Sequence, residues 1–293
     1  MTVATSVSDL RAALKDRRIE TTGGETKRAF VDFHCHTRFS RDSILKEETF
    51  ARKAIERGLT HVVVTNHNNV EGAIAVRDKV AELGLEDRLT VILGEEVSTA
   101  DGEVVGVFLQ KTIPRGLSAN ETADEIHRQG GLVSIPHPFD PFRGSHIKEG
   151  PLRNLADMGK IDMIEVFNCR VTFQRHNIEA AEFAARYEIP GIAASDSHSS
   201  FEVAMAFNAM PAFETAEELR ASLLENDWHA SRSSVFIHAT TRWAVWKNVF
   251  DKWRGKRTAA GPILGPEPPE QVRREPVQRP SGEELPAEEP EEE

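Results

Sequence analysis

Two cysteines, Cys35 and Cys169, are all the chain contains. That excludes a disulfide framework as its source of stability and makes a reducing, cytoplasmic setting the expectation. No apolar run approaches the roughly 18 residues that crossing a bilayer needs, so no membrane span is expected. The opening MTVATSVSDLRAALKDRRIE lacks an apolar stretch behind a basic start and is not expected to act as a secretion signal. Positive charge is also in deficit. The formal net charge is −11, and no general basic field argues for duplex-specific nucleic-acid binding through phosphates.

What is present is ordinary in bulk and uneven in detail. Hydrophobic residues make up 39% and charged residues 28% of 293, enough for one large core or two modest ones. From residue 265 to 293 there are ten Glu and three Arg, a net of −7, so most of the acidity belongs to the tail. Eight of the fifteen prolines fall in GPILGPEPPEQVRREPVQRPSGEELPAEEPEEE. Such a segment buries too little apolar surface to offset its ordering entropy, and residues 258–293 are expected to be disordered. Ahead of it, Trp243, Trp246, Phe250 and Trp253 recur at helical spacing among basic residues. Residues 231–257 are therefore expected to hold an amphipathic helix packed on the domain. A protein or membrane-surface contact through 241–257 is the second reading. Residues 1–28 are expected to form a partly helical N-terminal extension.

Between 29 and 230 apolar strands alternate with amphipathic helices. AFVDFHCH, THVVVTNH, LTVILGEEVS, EVVGVFLQ, LVSIPHP, DMIEVFN and PGIAASDSH read as seven strands. KEETFARKAIERG, GAIAVRDKVAELG, SANETADEIHRQGG and HNIEAAEFAARYE read as helices; the first three close on Gly58, Gly84 and a glycine pair, and the third opens at Ser118 or Asn120. This alternation predicts an α/β fold with a largely parallel sheet, and seven strands with short links suit a barrel better than an open sheet.

Ionisable residues gather at one end of these strands. His34 and His36 end the first, with Asp42 shortly after; His67 ends the second, Glu95 and Glu96 the third, His137 the fifth, and Asp196 with His198 the seventh. In parallel α/β folds that edge is where sites are built. Residues i and i+2 of a strand point the same way, so His34 and His36 can grip one ion while Cys35 points away, and Asp196 with His198 repeats the spacing. Asp32 is expected to share that side and orient a ligand imidazole. Any one of these residues alone reads as a satisfied strand-end or capping side chain. Together, neutral imidazoles with several carboxylates suit Zn, Mn or Fe, and there are enough of them for two or three divalent ions. His61, His127, His146, His176, His229 and His238 are assigned structural or surface roles.

Over residues 29–215 these segments resemble the PHP domain, the polymerase and histidinol phosphatase group, in its small stand-alone form. Asp32-Phe-His34-Cys-His36-Thr37 through Ser40 and Asp42 is similar to the family's D-x-H-x-H-T-x-x-S-x-D. VVVTNH carries His67 but has Asn66 where the family has aspartate. LGEEVS is similar to G-x-E-[IV]-S and selects Glu96 as the bridging carboxylate; PHP at 136–138 supplies His137, and SDSH supplies Asp196 and His198. Where many members have a histidine in a G-H-x-x-G stretch, DGEVVGVF places Glu103.

The resemblance implies a distorted (β/α)7 barrel, TIM-barrel-like, with two or three ions held by His34, His36, Asp42, His67, Glu96, Glu103, His137, Asp196 and His198. It implies phosphoester hydrolysis by a hydroxide bridging two ions, with Glu96 setting their separation and Asp196 or His198 moving a proton. Arg143 and Arg170, just beyond ligand-bearing strand ends, are the candidate phosphate clamps. The expected partner is a small phosphorylated substrate: a nucleotide, a nucleoside bisphosphate, a short oligonucleotide end, or a sugar or amino-alcohol phosphate. Two rival expectations are a metal-stabilised scaffold without turnover, suggested by Asn66 and Glu103, and hydrolysis of a non-phosphate bond.

Overall fold

β-Branched and aromatic runs of four to nine residues become strands, and the amphipathic stretches between them become helices. The computed structural model describes residues 27–230; the expected N-terminal extension before residue 27, aromatic helix and acidic tail lie outside the described residues. The strands are β1 (Arg28–Cys35), β2 (His61–Val64), β3 (Thr90–Ser98), β4 (Glu103–Val107), β5 (Leu132–Ile135), β6 (Met163–Asn168), β7 (Gly191–Ala194), β8 (Ala206–Pro211) and β9 (Asp227–Ala230). The helices are α1 (Glu47–Glu56), α2 (Glu71–Glu82), α3 (Ala119–Arg128), α4 (Glu149–Asp157), α5 (Gln174–Arg186) and α6 (Ala216–Ser222). Ser118 opens α3 with a reciprocal capping box to Glu121, which resolves the choice between Ser118 and Asn120. Gly58, Gly84 and Gly130 take positive φ just past three helix ends.

The strands hydrogen-bond in the order β7-β6-β5-β4-β3-β2-β1-β8-β9 and curl into a nearly closed barrel. β1 meets the chain after β7 at the mouth, where His36 N donates to Ser197 O at 2.8 Å. Deeper in the seam the carboxamide of Asn208, on β8, does the closing. Its Nδ2 donates to Val31 O (3.2 Å) and Ala193 O (2.7 Å), and its Oδ1 accepts from Ala193 N at 3.0 Å. A side chain with both a donor and an acceptor substitutes here for a strand ladder.

The sheet is less parallel than the sequence suggested. β4 runs antiparallel to both β3 and β5, because a tight turn rather than a helix joins β3 to β4. Gly102 occupies that turn with φ +129°, and a Cβ there would collide with the backbone of His146 and Ile147. β8, β9, α4 and α6 were not anticipated. Helices α1 to α5 bury apolar stripes against the sheet's outer face, with Phe50, Val76, Ile126, Leu152 and Phe183 among the buried residues. Val31, Phe33, Val63, Ile92, Val105, Leu132, Met163 and Ile192 fill the barrel from inside, and Phe213, Leu219 and Leu223 pack with them. Each large apolar side chain buried this way contributes about 1.5–3 kcal/mol. The candidate ligand side chains lie above this apolar filling, at the mouth where the strands end. Among the described residues no helix is long and apolar enough to cross a membrane.

Candidate metal centre

Strict alternation along β1 would put Cys35 on the same side as Val31 and Phe33. Instead Val31 and Phe33 pack inside the barrel while Cys35 packs with the outer layer. The β1–β2 register shifts between Asp32 and Cys35, and this bulge turns His34 and His36 into the mouth above the apolar plug. It also corrects the role expected of Asp32. That carboxylate accepts backbone N–H groups from Ser195 (3.1 Å), Ala204 (3.3 Å) and His34 (3.4 Å), stitching β1 to the β7 end rather than steering an imidazole. Burial pushes its pKa up to about 6, against the pull of those bonds.

A second bulge, on β6 between Glu165 and Phe167, brings Glu165 and Asn168 to the same place. Glu165 does what had been expected of Asp32: its Oε1 accepts from His34 Nδ1 at 2.6 Å, and its Oε2 accepts from His137 N at 2.9 Å and Asn168 Nδ2 at 2.8 Å. The sequence carried a signal for it, since a lone Glu in the apolar run MIEVFN is rarely buried without partners. Strand alternation gave no reason to aim both Glu165 and Asn168 inward.

All nine ligand candidates converge. Ligand atoms within 4.8 Å of one another form four overlapping groups: His36, Asp42, His67 and His198; His34, His137 and Asp196; His34, His36 and Glu96; and His67, Glu96 and Glu103. Glu96 stands at the centre. Its Oε2 lies 3.3 Å from His34 Nε2, 3.3 Å from His36 Nε2 and 3.1 Å from His67 Nδ1, and its Oε1 lies 3.2 Å from His137 Nε2. Asp42 Oδ2 lies between His67 Nε2 (3.2 Å) and His198 Nε2 (3.0 Å). Glu103 stands 3.8 Å from His67 and 3.9 Å from His137, and accepts from Ser145 Oγ at 2.5 Å. Glu95 faces away and accepts from Ile113 N at 2.8 Å. His137 and Asp196 adopt φ of +29° and +52°, strained values for such residues that cluster where function requires them.

Hydrogen bonding fixes which imidazole nitrogens face inward. His34 Nδ1 donates to Glu165. His198 Nδ1 donates to the Asp196 carbonyl at 2.8 Å. Ser40 Oγ donates to Asn66 Oδ1 (2.9 Å) and accepts from His67 N (3.1 Å), so it accepts from His36 Nδ1 at 3.0 Å as well. Each of the three imidazoles thus turns Nε2 into the mouth. His34 Nε2 and His36 Nε2 face each other at 2.9 Å and need positive charge between them. Two nitrogens on one zinc at roughly 2.0–2.1 Å would stand about 2.9–3.4 Å apart.

The electrostatics call for cations. Buried oxygens of Asp42 (Oδ1), Glu96 (Oε2) and Asp196 (Oδ1) have no hydrogen-bond partner. Burial opposes ionisation of Glu96, Asp196 and Asp42, yet surrounding histidines, with Arg143 beside Asp196, hold all three carboxyls well below their usual range. Burial likewise works against charge on His34 and His67, but the facing carboxylates hold both well above the ordinary imidazole value. Burial takes His198 down to about 4, leaving it neutral at pH 7, and burial with Glu96 nearby pushes Glu103 up to about 8. Mixed nitrogen and oxygen donors with orphaned carboxylate oxygens fit divalent zinc, manganese or iron.

Asn66 costs the site no ligand. Its Oδ1 accepts from Thr37 N at 2.9 Å and from Ser40, contacts a carboxylate oxygen could equally make. A Cβ at Gly72 would strike its amide, so that glycine makes its room. The candidate clamps line one open cavity of about 340 Å³ together with Asp42, Phe142 and His198. Arg143 pairs with Asp196, and Arg170 Nη1 donates to Glu202 Oε1 at 2.9 Å. Glu202 also accepts from His198 N at 3.1 Å. The histidines set aside have other partners: His127 pairs with Asp162 (2.8 Å), His61 with Thr60, His176 with Glu179, and His146 donates to Arg143 O; His229 stacks on Phe207, and His238 lies outside the described residues.

Known proteins resemble this chain in sequence and in fold. A family model described as the PHP domain matches residues 32–155, and a second, described as PHP-associated, matches residues 174–227. An uncharacterised protein of Methanocaldococcus jannaschii is 33% identical over 148 residues, 47% of this chain and 81% of its own length. Another from the same organism is 31% identical over 178 residues, 60% of this chain and 68% of its own. A Bacteroides vulgatus two-domain protein containing a predicted PHP-like metal-dependent phosphoesterase superposes with a TM-score of 0.56 at 21% identity, covering 71% of this chain and 66% of that one. At that identity the likeness is one of fold.

Proposed function

The chain belongs to the PHP-domain family, and from that premise we propose that it is a metal-dependent phosphoesterase acting on a small phosphorylated substrate. The supporting observation is four overlapping ligand groups, two of which share Glu96 and the other two of which join them through His34, His36 and His67, beside a cavity lined by two arginines. His34, His36 and Glu96 would hold one ion and Asp42, His67 and His198 a second; Glu103 joins Glu96 and His67, and His137 and Asp196 join His34, so a third ion would share ligands with these. Divalent ions at such positions supply Lewis acidity toward a phosphoryl oxygen and lower the pKa of water toward roughly 7.

The protein's own residues do the rest. Glu165 and Ser40 keep the His34 and His36 imidazoles aimed at the ions, which raises ligand precision without adding a ligand. Arg143 and Arg170 would bind the phosphate's outer oxygens as planar, permanently charged donors. Arg143, already against Asp196, would orient the ester toward the metal cluster. Asp196, paired with Arg143, would be the group to hold or pass a proton; His198, with Nδ1 donating to the Asp196 carbonyl and Nε2 turned to the ligand cluster, has no nitrogen left for that role.

The test is a panel of phosphate monoesters, nucleotides, lactones and amides offered to protein loaded in turn with Zn, Mn and Fe. Phosphate release that disappears on chelation, returns on reloading and is absent from the His34→Ala protein is the expected result. Stoichiometric metal with hydrolysis of a lactone or amide, and none of any phosphate ester, would overturn the reading.

A further inference from the structure

The rim of the mouth carries an aromatic pair that neither metal binding nor phosphate binding explains. Phe142 is 64% exposed and Phe173 48% exposed, with ring centroids 5.4 Å apart and planes inclined at 53°. They come from the chain following β5 and β6, which also supplies Arg143 and Arg170. Phe173 is anchored from behind: its ring meets buried His176 edge-on at 6.4 Å, and the Arg175 guanidinium lies 5.3 Å over it. Phe142 is held by its backbone, whose N–H donates to Asp140 Oδ1 at 3.1 Å.

Adjacent phenyl rings left in water gain nothing from burial, and such a patch beside a polar pocket marks a contact surface. Phe142 lines the same cavity as Arg143, Arg170 and His198, so the patch continues the pocket rather than standing apart from it. A phosphate held by the arginines leaves the organic part of its ester at this rim. The inclined rings offer one face and one edge, an arrangement that accommodates a third flat ring in an offset stack.

We propose that Phe142 and Phe173 form a stacking platform for a flat heteroaromatic ring on the substrate. The preferred ester is then the phosphate of a nucleoside, not of an aliphatic alcohol or a bare sugar. The cleavage of that ester rests on the phosphoesterase reading above; the platform itself is a binding feature. Stacking on an aromatic face is tolerant of base identity, so the preference is for a base over none rather than for one base over another.

AMP and ribose 5-phosphate test this directly, because they share the phosphate and the sugar and differ in the base. With manganese-loaded full-length protein, the expected ratio of kcat/KM for AMP over ribose 5-phosphate is about tenfold or more, carried by KM, as stacking energies imply. Phe142→Ala with Phe173→Ala should collapse the ratio toward one, and Phe142→Trp should keep it. Both positions are exposed, so folding is expected to survive. Calorimetric binding of the two ligands reads the platform without turnover. A base-dependent affinity lost in the double variant supports the platform even if neither compound is hydrolysed, an outcome that would count against the phosphoesterase reading alone. Equal binding of the two compounds by the wild-type protein, no binding of either, or an unchanged ratio in the double variant, overturns the platform.

Discussion

At the start of β6, Asp162 accepts from His127 Nε2 and Val133 N at 2.8 Å through one oxygen, and from Arg220 at 3.0 and 2.6 Å through the other. At the mouth, where the strands end, Asp42, Glu96 and Asp196 each keep a buried oxygen without a hydrogen-bond partner. Both clusters are made of acids, histidines and an arginine, and composition would not separate them. The difference lies in completeness. The Asp162 cluster is closed, with every carboxylate oxygen engaged, which is how a structural polar group survives burial. At the mouth the buried carboxylate oxygens lack donors, which is costly, and carboxylates and imidazoles gathered with their lone pairs facing one another suit a cation.

The largest effect should come from breaking the open cluster. Asp196→Ala removes a donor atom and strips Arg143 of its partner, so turnover should fall about a thousandfold or more, some 4 kcal/mol in the barrier, together with bound metal. Metal analysis with phosphate release checks both losses in one preparation. Retained metal with full turnover would show that the mouth is another structural cluster.

Acid and base separate the two ends with opposite sign. Glu103 is pushed up to about 8 by burial and by Glu96. In metal-stripped protein the folded state therefore keeps a proton that the unfolded state releases above about 4.5. Its contribution is fully present below that pH and is lost as pH rises through 8. Relative to wild type, Glu103→Gln should gain stability across this window, by up to about 5 kcal/mol on linkage. Urea unfolding at a series of pH values in chelator measures it, and reloading metal should flatten the wild-type slope. Asp162 behaves in reverse. Despite burial, bonds from His127, Val133 and Arg220 hold its carboxyl below the usual range. Its contribution is present above about pH 3.8 and is lost only as pH falls through the lower, folded value. Asp162→Ala should cost about 2–3 kcal/mol at pH 7 by leaving His127 and the Val133 N–H without an acceptor, while metal content stays unchanged.

Much of this was legible in the chain. Strand alternation with apolar and polar residues located the seven barrel strands, and the habit of ending five of them on a histidine or acid located the mouth. Glu165 and the altered role of Asp32 were not legible, because both depend on bulges that reverse the inside and outside of a strand partway along it, and a bulge leaves no mark in a two-residue period. The strand β4 was anticipated but its antiparallel direction was not, because the alternation of strands and helices predicts parallel neighbours and the short link from Thr99 to Gly102 replaces a helix here. β8 escaped notice because AFNAMP has little β-branching; what it contributes is a seam made by one carboxamide, Asn208. In each case the missing information was tertiary.

The smallest effect tests how redundant the closed cluster is. Arg220 reaches Asp162 with two nitrogens, but its side chain is 55% exposed whereas that of Asp162 is 10% exposed. An exposed guanidinium gives back much of its Coulomb attraction in solvent screening and side-chain entropy, and such pairs contribute about 0.2–1 kcal/mol. Arg220→Ala leaves Asp162 Oδ2 paired with His127 and Val133 N, while Oδ1, whose two donors both come from the arginine, turns to water along the path that side chain vacates. Stability should fall by less than about 1 kcal/mol at low salt and by less again in high salt. Urea midpoints at two ionic strengths would read this. A loss above about 2 kcal/mol, insensitive to salt, would mean that the arginine is part of a desolvated network, and that the two ends of the barrel differ less than their hydrogen bonding indicates.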